Sequence, residues 1–241
     1  MRRWTRAGAV ATAAAVAVAG MLVPVGAASA ATLPDTLVAA AAATWPTNGI
    51  AWAVETVGDV VYVGGTFTKV RPPGVAAGGA GEVTRTNLAA FDAVTGDLLP
   101  CAPTFALSTG TTTIRALDGS PAGTRLYAAG AFSSVNGTGV ANVVALDTTT
   151  CQLAAGFRRP NVSATVRAIS ATSDAVYFGG DFGTVDGQTR TRFAAVTSAG
   201  TLMAGTAAFN LPVRTILAAP DFGRVLVGGD FGTELFGMKP G

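Results

Sequence analysis

Residues 63–67 read Val-Gly-Gly-Thr-Phe, and phrases of the same character return at 128–132, 178–182 and 227–231. The phenylalanines that close the four phrases are 65, 50 and 49 residues apart. A period near fifty residues indicates that one supersecondary unit is repeated along the chain. We interpret the recurring residues as packing positions; they are Gly64, Gly65, Phe67, Gly130, Phe132, Gly179, Gly180, Phe182, Gly228, Gly229 and Phe231.

Each phrase ends a predicted strand, and the residues around it repeat as well. In the third unit, Val166-Arg167-Ala168-Ile169 precedes the phrase and Asp186-Gly187 follows it. Asp186-Gly187 and its counterpart Asn136-Gly137 are strong signals for tight turns between strands. A third strand is predicted to begin at Asn87, Asn142 or Arg192, and a fourth to end near Phe105, Phe157 or Phe209.

Four strands in about fifty residues predict one antiparallel sheet, and radial packing of such sheets makes a β-propeller. Both alternating faces of 60–67 are apolar or small, which suits a sheet covered on both sides. We therefore predict an all-β propeller of four-stranded antiparallel blades, with about three and a half blades present. The predicted repeats span 48–233, with blades at about 48–106, 112–159 and 164–210 and a partial blade at 211–233.

The first thirty residues have the pattern of a secretory signal. Three arginines among the first six residues precede the uncharged, largely apolar stretch 7–23, and Ala28-Ser29-Ala30 is a small-x-small site. We predict cleavage after Ala30; the alternative is an uncleaved anchor helix. An N-terminal segment is then expected at 31–47, and a C-terminal tail at 234–241 is expected to be poorly ordered.

Charge excludes one class of partner. Removal of the three arginines of the signal leaves 13 basic against 14 acidic residues, and no basic stripe with interleaved aromatic residues is present. Nucleic-acid binding is therefore not expected. No second apolar run is long enough to span a membrane, so no membrane contact is expected after cleavage.

The two cysteines, Cys101 and Cys151, fall in equivalent turns of the first and second units. In an exported protein an even pair favours a disulfide, which here would join neighbouring blades. The alternative is two separate thiols.

The chain contains no histidine, which excludes His-assisted nucleophiles and His-ligated metals. We predict no catalytic, cofactor-binding or metal-binding residue. The acids that recur are Asp92 with Asp147, and Asp181 with Asp230. Recurrence places the members of each pair on different blades, so turn or strand-end roles explain them better than a catalytic pair.

Three arginines, Arg115, Arg167 and Arg214, recur at one position of successive first strands. One interpretation is a ring of guanidinium groups that binds an anionic ligand. The other is that each arginine pairs with a backbone carbonyl or a nearby Asp and locks blades together. The second is favoured because the first unit has Trp52 or Ala51 at that position and interrupts the ring.

The pattern Tyr-x-Gly-Gly-x-Phe-x-x-Val-x-Gly, followed by a strand such as 142–147, resembles the delta-60 repeat family of secreted bacterial β-propeller proteins. The resemblance covers roughly 48–233. It implies an extracellular or cell-surface module and supplies no catalytic residue. Separately, 88–96 is similar to the repeat of pyrroloquinoline-quinone dehydrogenases, although the tryptophan of that repeat is missing here.

These observations predict a secreted or cell-surface, non-catalytic binding or scaffold module that belongs to a larger extracellular protein. An extracellular protein or glycan is the expected ligand, and the loop insertion at 72–81 is a candidate contact. The alternative is a propeller-based enzyme, either a quinone-dependent oxidoreductase or a carbohydrate-active enzyme. The half blade also favours a truncated piece of a longer protein over a closed propeller completed by 35–43.

Overall fold

The computed structural model describes residues 43–205 and 207–231, which belong to one compact unit, Ala41–Gly241. The predicted signal peptide, most of the N-terminal segment and the tail lie outside the described residues. The strands are β1 (Ala51–Val57), β2 (Val60–Gly65), β3 (Lys69–Val70), β4 (Val83–Thr84), β5 (Leu88–Asp92), β6 (Phe105–Ala106), β7 (Thr113–Gly119), β8 (Arg125–Ala131), β9 (Ser134–Val135), β10 (Thr138–Gly139), β11 (Val143–Asp147), β12 (Val166–Ala171), β13 (Ala175–Gly180), β14 (Thr184–Val185), β15 (Gln188–Thr189), β16 (Phe193–Thr197), β17 (Val213–Ala219) and β18 (Arg224–Gly229). A 3₁₀ helix at Pro220–Phe222 joins β17 to β18.

One antiparallel arrangement recurs along the chain. The sheets β1-β2-β5, β7-β8-β11 and β12-β13-β16 have the same order, and the two-stranded sheet β17-β18 repeats its first half. We number the repeats that contain these sheets 1 to 4. The first strands β1, β7, β12 and β17 contact one another in succession. Sheets that pack face to face with their first strands side by side form a propeller-like fold.

The fourth strand of repeats 1, 2 and 3 is shorter than predicted. A single bridge pair stands in its place, joining the third strand to Leu98, Leu153 and Leu202 in repeats 1, 2 and 3. The prediction of four regular strands per repeat is therefore wrong in this detail. The turn before each of these leucines is short, and the chain leaves the sheet after one pair.

A small hairpin follows the phrase in repeats 2 and 3 and leads to the third strand. Asn136-Gly137 joins β9 to β10, with φ of 49° and 76°. Asp186-Gly187 joins β14 to β15, with φ of 51° and 77°. Two consecutive positive φ values are the backbone of a type I′ turn, which explains the Asn-Gly and Asp-Gly dipeptides.

Each of these hairpins pairs with the segment that enters the same repeat. In repeat 2, Phe105 in β6 pairs with Val135 in β9. Val162 and Val185 form the corresponding bridge in repeat 3. Phe105 was predicted to end the fourth strand of the first unit, and this is wrong because its backbone pairs with the next hairpin. The Phe105 ring packs edge-on against Phe132, with ring centroids 5.0 Å apart.

The core consists of successive layers between neighbouring sheets. Tyr62, Leu88 and Ile114 lie in the layer between repeats 1 and 2. Tyr127 and Phe178 lie in the layer between repeats 2 and 3. The sheets of repeats 2 and 3 are covered on both faces. Their strands are therefore apolar or small at nearly every position.

The two glycines of the phrase face different neighbours. A Cβ on Gly64 would lie 3.2 Å from Leu117 Cδ1 of the next repeat, and one on Gly179 would lie 2.7 Å from Val213 Cβ of repeat 4. The first glycine therefore permits close packing between repeats. The second glycine lies against the carbonyl oxygen that begins its own first strand, as at Gly180 and Thr165.

A disulfide joins Cys101 to Cys151, with their Cα atoms 5.4 Å apart. The bridge links the turn after the third strand of repeat 1 to the equivalent turn of repeat 2. It closes a sequence separation of 50 residues.

Candidate functional site

A β-bulge interrupts the first strand of every repeat at the same position. The register shifts between Ala51 and Ala53 in β1, and equivalent shifts occur in β7, β12 and β17. A bulge leaves one residue outside the ladder and redirects its side chain. The four bulged residues, which we call the bulge cluster, are Trp52, Arg115, Arg167 and Arg214.

Two arginines of the bulge cluster have carboxylate partners within their own repeats. Arg167 donates from Nε and Nη2 to the two Asp181 oxygens at 2.8 and 2.7 Å. Arg214 donates from Nε and Nη2 to Asp230 at 2.6 to 3.0 Å. The hydrogen bonds from Arg214 lower the pKa of Asp230 and raise that of Arg214. Two-point pairing of this kind fixes the planar guanidinium group.

Arg115 has no such partner because Ala131 occupies the position of Asp181 in its phrase. Its guanidinium carbon lies 4.1 Å from the ring centroid of Trp52 in the neighbouring repeat. Its Nε is buried without a hydrogen-bond partner, and it makes no ion pair with any residue in 43–205 or 207–231. The stacking places the charge on the face of the indole, where the ring quadrupole attracts it.

The charges around Arg115 come from two other repeats. Burial lowers the pKa of Arg115, and the positive charges of Arg167 and Arg214 lower it further, while Asp181 opposes them. Charged residues of repeats 3 and 4 therefore influence the pKa of Arg115. Asp181 and Asp230 balance two of the three guanidinium groups of the bulge cluster, and the unbalanced positive charge is that of Arg115.

Trp52 completes the cluster in repeat 1. Its Nε1 donates to Thr66 Oγ1 at 3.0 Å, and 45% of the residue is exposed. Thr66 occupies the position of Asp181 in its phrase, so in repeats 1, 3 and 4 the residue before the phrase phenylalanine is the partner of the bulged residue. The interpretation that arginines pair with Asp holds for Arg167 and Arg214. The pairs lie within one repeat, however, and therefore do not lock neighbouring repeats together.

The other recurring acids have turn roles. Asp92 Oδ1 accepts hydrogen bonds from the backbone N–H groups of Val94 and Thr95 at 2.9 and 2.8 Å. Asp147 accepts the equivalent bonds from Thr149 and Thr150. These donors lower the pKa of both carboxyl groups. In the part of the chain that the structure describes, no group of three or more Cys, Asp or Glu side chains is placed to hold a metal ion.

Sequence reasoning missed a polar ladder between the first strands. Glu55 Oε1 accepts from the Gly119 N–H at 3.3 Å, and Asp118 Oδ2 accepts from the Ala171 N–H at 2.5 Å. Ser170 Oγ accepts a third such bond from the Ala218 N–H at 3.0 Å. The acceptor always stands three residues after the bulged residue, which is a repeat signal that the sequence carries.

The ladder predicts an unusual pH dependence of stability. Burial raises the pKa of Asp118, and burial together with the Asp118 charge raises the pKa of Glu55. A carboxyl group with a raised pKa binds protons more tightly in the folded state, so its effect makes the free energy of unfolding fall as pH rises through that pKa.

Asp118→Asn keeps an acceptor for Ala171 and removes the charge. We expect the variant to gain stability relative to the native chain at pH 7 and to lose that advantage toward pH 4, as measured by urea unfolding across this range. An advantage that does not change with pH would contradict this.

Two solved structures are similar to this chain in fold at low sequence identity. The computationally designed Ika4 protein is 13% identical, covers 81% of this chain and 94% of its own, and superposes with a TM-score of 0.52. The WD40 domain of Neurospora crassa Pan2 is 13% identical over 73% of this chain and 46% of its own, with a TM-score of 0.46. The likeness concerns the fold alone, and the chain has a β-propeller-like, nearly all-β fold.

No protein-family model and no curated protein matches the sequence. In residues 43–205 and 207–231, no helix has the length and apolar character needed to cross a membrane.

Proposed function

We propose that this chain is a non-catalytic binding or scaffold module, secreted or displayed at the cell surface, whose propeller of about three and a half blades resembles the delta-60 repeat family. Its ligand site is the bulge cluster. The observation that carries the proposal is the unpaired guanidinium of Arg115, held on the face of Trp52. The disulfide between Cys101 and Cys151 suits an oxidising, extracellular environment.

The chemistry of the bulge cluster favours an acidic glycan. A guanidinium group presents several N–H donors in one plane and binds carboxylate or sulfate through two of them. Arg167 and Arg214 are already paired with the carboxylates of their own repeats. Arg115 is therefore the arginine of the bulge cluster that has free donors for a ligand anion. The half-exposed Trp52 indole supplies a flat apolar surface beside that charge, on which the ring of a sugar can lie.

A binding experiment with matched variants tests this proposal. The probes are a uronate-containing oligosaccharide, a neutral oligosaccharide of the same length and a glutamate-rich peptide, each titrated by isothermal calorimetry. We expect the uronate probe to bind, and Arg115→Met to weaken its binding about tenfold or more, because hydrogen bonds to charged groups contribute about 1.5–3 kcal/mol. The control is Arg159→Met, since Arg159 is an exposed arginine outside the bulge cluster.

Three outcomes would contradict the proposal. Equal binding of the uronate probe to the native chain and Arg115→Met would remove Arg115 from the site. Equal affinity for the neutral oligosaccharide would remove the role of charge. Preferential binding of the glutamate-rich peptide would replace the glycan with an acidic protein segment.

A further inference from the structure

Among residues 43–205 and 207–231, no neighbouring sheet covers one face of repeat 1 and one face of repeat 4. Extensive contacts join β1 to β7, β7 to β12 and β12 to β17, and among the described strands β17 and β1 share none of that extent. We call the uncovered side of repeat 1 the leading face and that of repeat 4 the trailing face. Val54 on the leading face is 63% exposed, and Leu217 on the trailing face is 57% exposed.

The leading face is an apolar groove. A cavity of about 680 Å³ lies over it, and its lining includes Trp45, Val54, Val61, Val63 and Phe91. The four strand residues of this set stand on the side of the sheet opposite to Tyr62 and Leu88, which pack against repeat 2. The equivalent sides of repeats 2 and 3 are filled by the preceding repeat.

The trailing face differs from the equivalent covered faces at one position, where a hydrogen-bond acceptor is replaced by leucine. Leu217 stands three residues after the bulged Arg214, at the position where Glu55, Asp118 and Ser170 reach across to the next first strand. A leucine cannot accept that hydrogen bond. Leu226 on the adjacent strand is 41% exposed, so two leucines project from this face. The contact that covers them must therefore be apolar.

We infer that a second copy of this chain covers both faces, with the trailing face of one copy seated in the leading face of the other. The chain already makes three contacts of this kind between its own repeats, and the leading and trailing faces are the same two sides of a repeat that meet in those contacts. Projecting leucines and an apolar groove are complementary in shape and chemistry. Such a head-to-tail contact closes into a ring when it is made twice between two copies.

Sedimentation equilibrium of the full chain at micromolar concentration tests the inference, and we expect twice the mass of one chain. Leu217→Glu on the trailing face and Val54→Glu on the leading face each place a charge in both contacts of the ring, so each variant is expected to be monomeric. An equimolar mixture of the two variants leaves one contact fully native. The mixture is therefore expected to recover dimer, whereas a contact between identical faces would leave one of the two variants dimeric on its own.

The control is Phe222→Ser, which changes an 80% exposed residue in the 3₁₀ turn and is expected to remain dimeric. Leu226→Glu provides a second trailing-face variant if Leu217→Glu loses the far-UV signal of β-structure. A native chain that remains monomeric at 100 μM would overturn the inference. Failure of the mixture to recover dimer would overturn the head-to-tail contact, and growth into longer polymers would overturn the closed ring.

Discussion

Replacing Gly180 with alanine is expected to lower the free energy of unfolding by about 3 kcal/mol. The added Cβ would overlap the carbonyl oxygen of Thr165 and would lie 2.8 Å from Val166 Cα and 3.0 Å from Arg167 N. All three are backbone atoms at the start of the first strand, in Thr165 and the first two residues of β12. No side-chain rotation relieves the contact, so the two strands must separate at the bulge that directs Arg167.

A glycine in the same repeat is a matched control. Gly183 lies three residues later, has no atom within 4 Å of an added Cβ, and does not have a left-handed φ. Gly183→Ala is therefore expected to change stability by no more than about 0.5 kcal/mol. Urea unfolding followed by circular dichroism compares the two variants. Equal effects at Gly180 and Gly183 would show that the second glycine of the phrase is not required by the close approach of the strands.

Loss of the disulfide is expected to have an effect of similar size. The bridge closes 50 residues, and chain entropy predicts that removing a cross-link of this length lowers the free energy of unfolding by about 4 kcal/mol. The variant is Cys101→Ala with Cys151→Ala. Four kcal/mol is a large fraction of the roughly 5–15 kcal/mol that holds a typical domain folded.

The measurement is urea unfolding of the native chain and the double variant, each with and without a reducing agent. The native chain should lose stability on reduction, and the double variant should be insensitive to it. Before unfolding, the oxidised native chain should have no titratable thiol. A native chain that unfolds identically in both conditions would contradict the expected contribution of the bridge.

Local sequence was enough to predict much of the fold because strands and tight turns carry short-range signals. The apolar run before each phrase became a second strand, and Asn136-Gly137 became a type I′ turn because these residues tolerate positive φ. The cysteines could be paired because they occupy equivalent turns of adjacent repeats. The predicted fourth strand was too long, because one apolar residue does not establish how many residues pair with the neighbouring strand.

The residue that immediately precedes the third strand, where the sequence predicts the strand to begin, shows where local reasoning was incomplete. Asn87 and Asn142 adopt a left-handed backbone with φ of 68° and 66°. Asn87 Nδ2 donates to the Gly65 and Thr112 carbonyl oxygens at 2.9 and 3.0 Å. Asparagine tolerates this conformation, so a signal was present. Arg192 stands at the same position with φ of 67°, and its contact with the Asp181 carbonyl depends on the folded repeat.

The repeat period, the strand-and-turn order and the equivalence of the two cysteines could be obtained from the chain alone, because each depends on residues close in sequence or on their recurrence. The arginines at 115, 167 and 214 look identical in sequence. Folding distinguishes them, since Asp181 and Asp230 neutralise two and Ala131 leaves the third on Trp52. The uncovered faces likewise depend on which sheets become neighbours, and long-range packing alone establishes that.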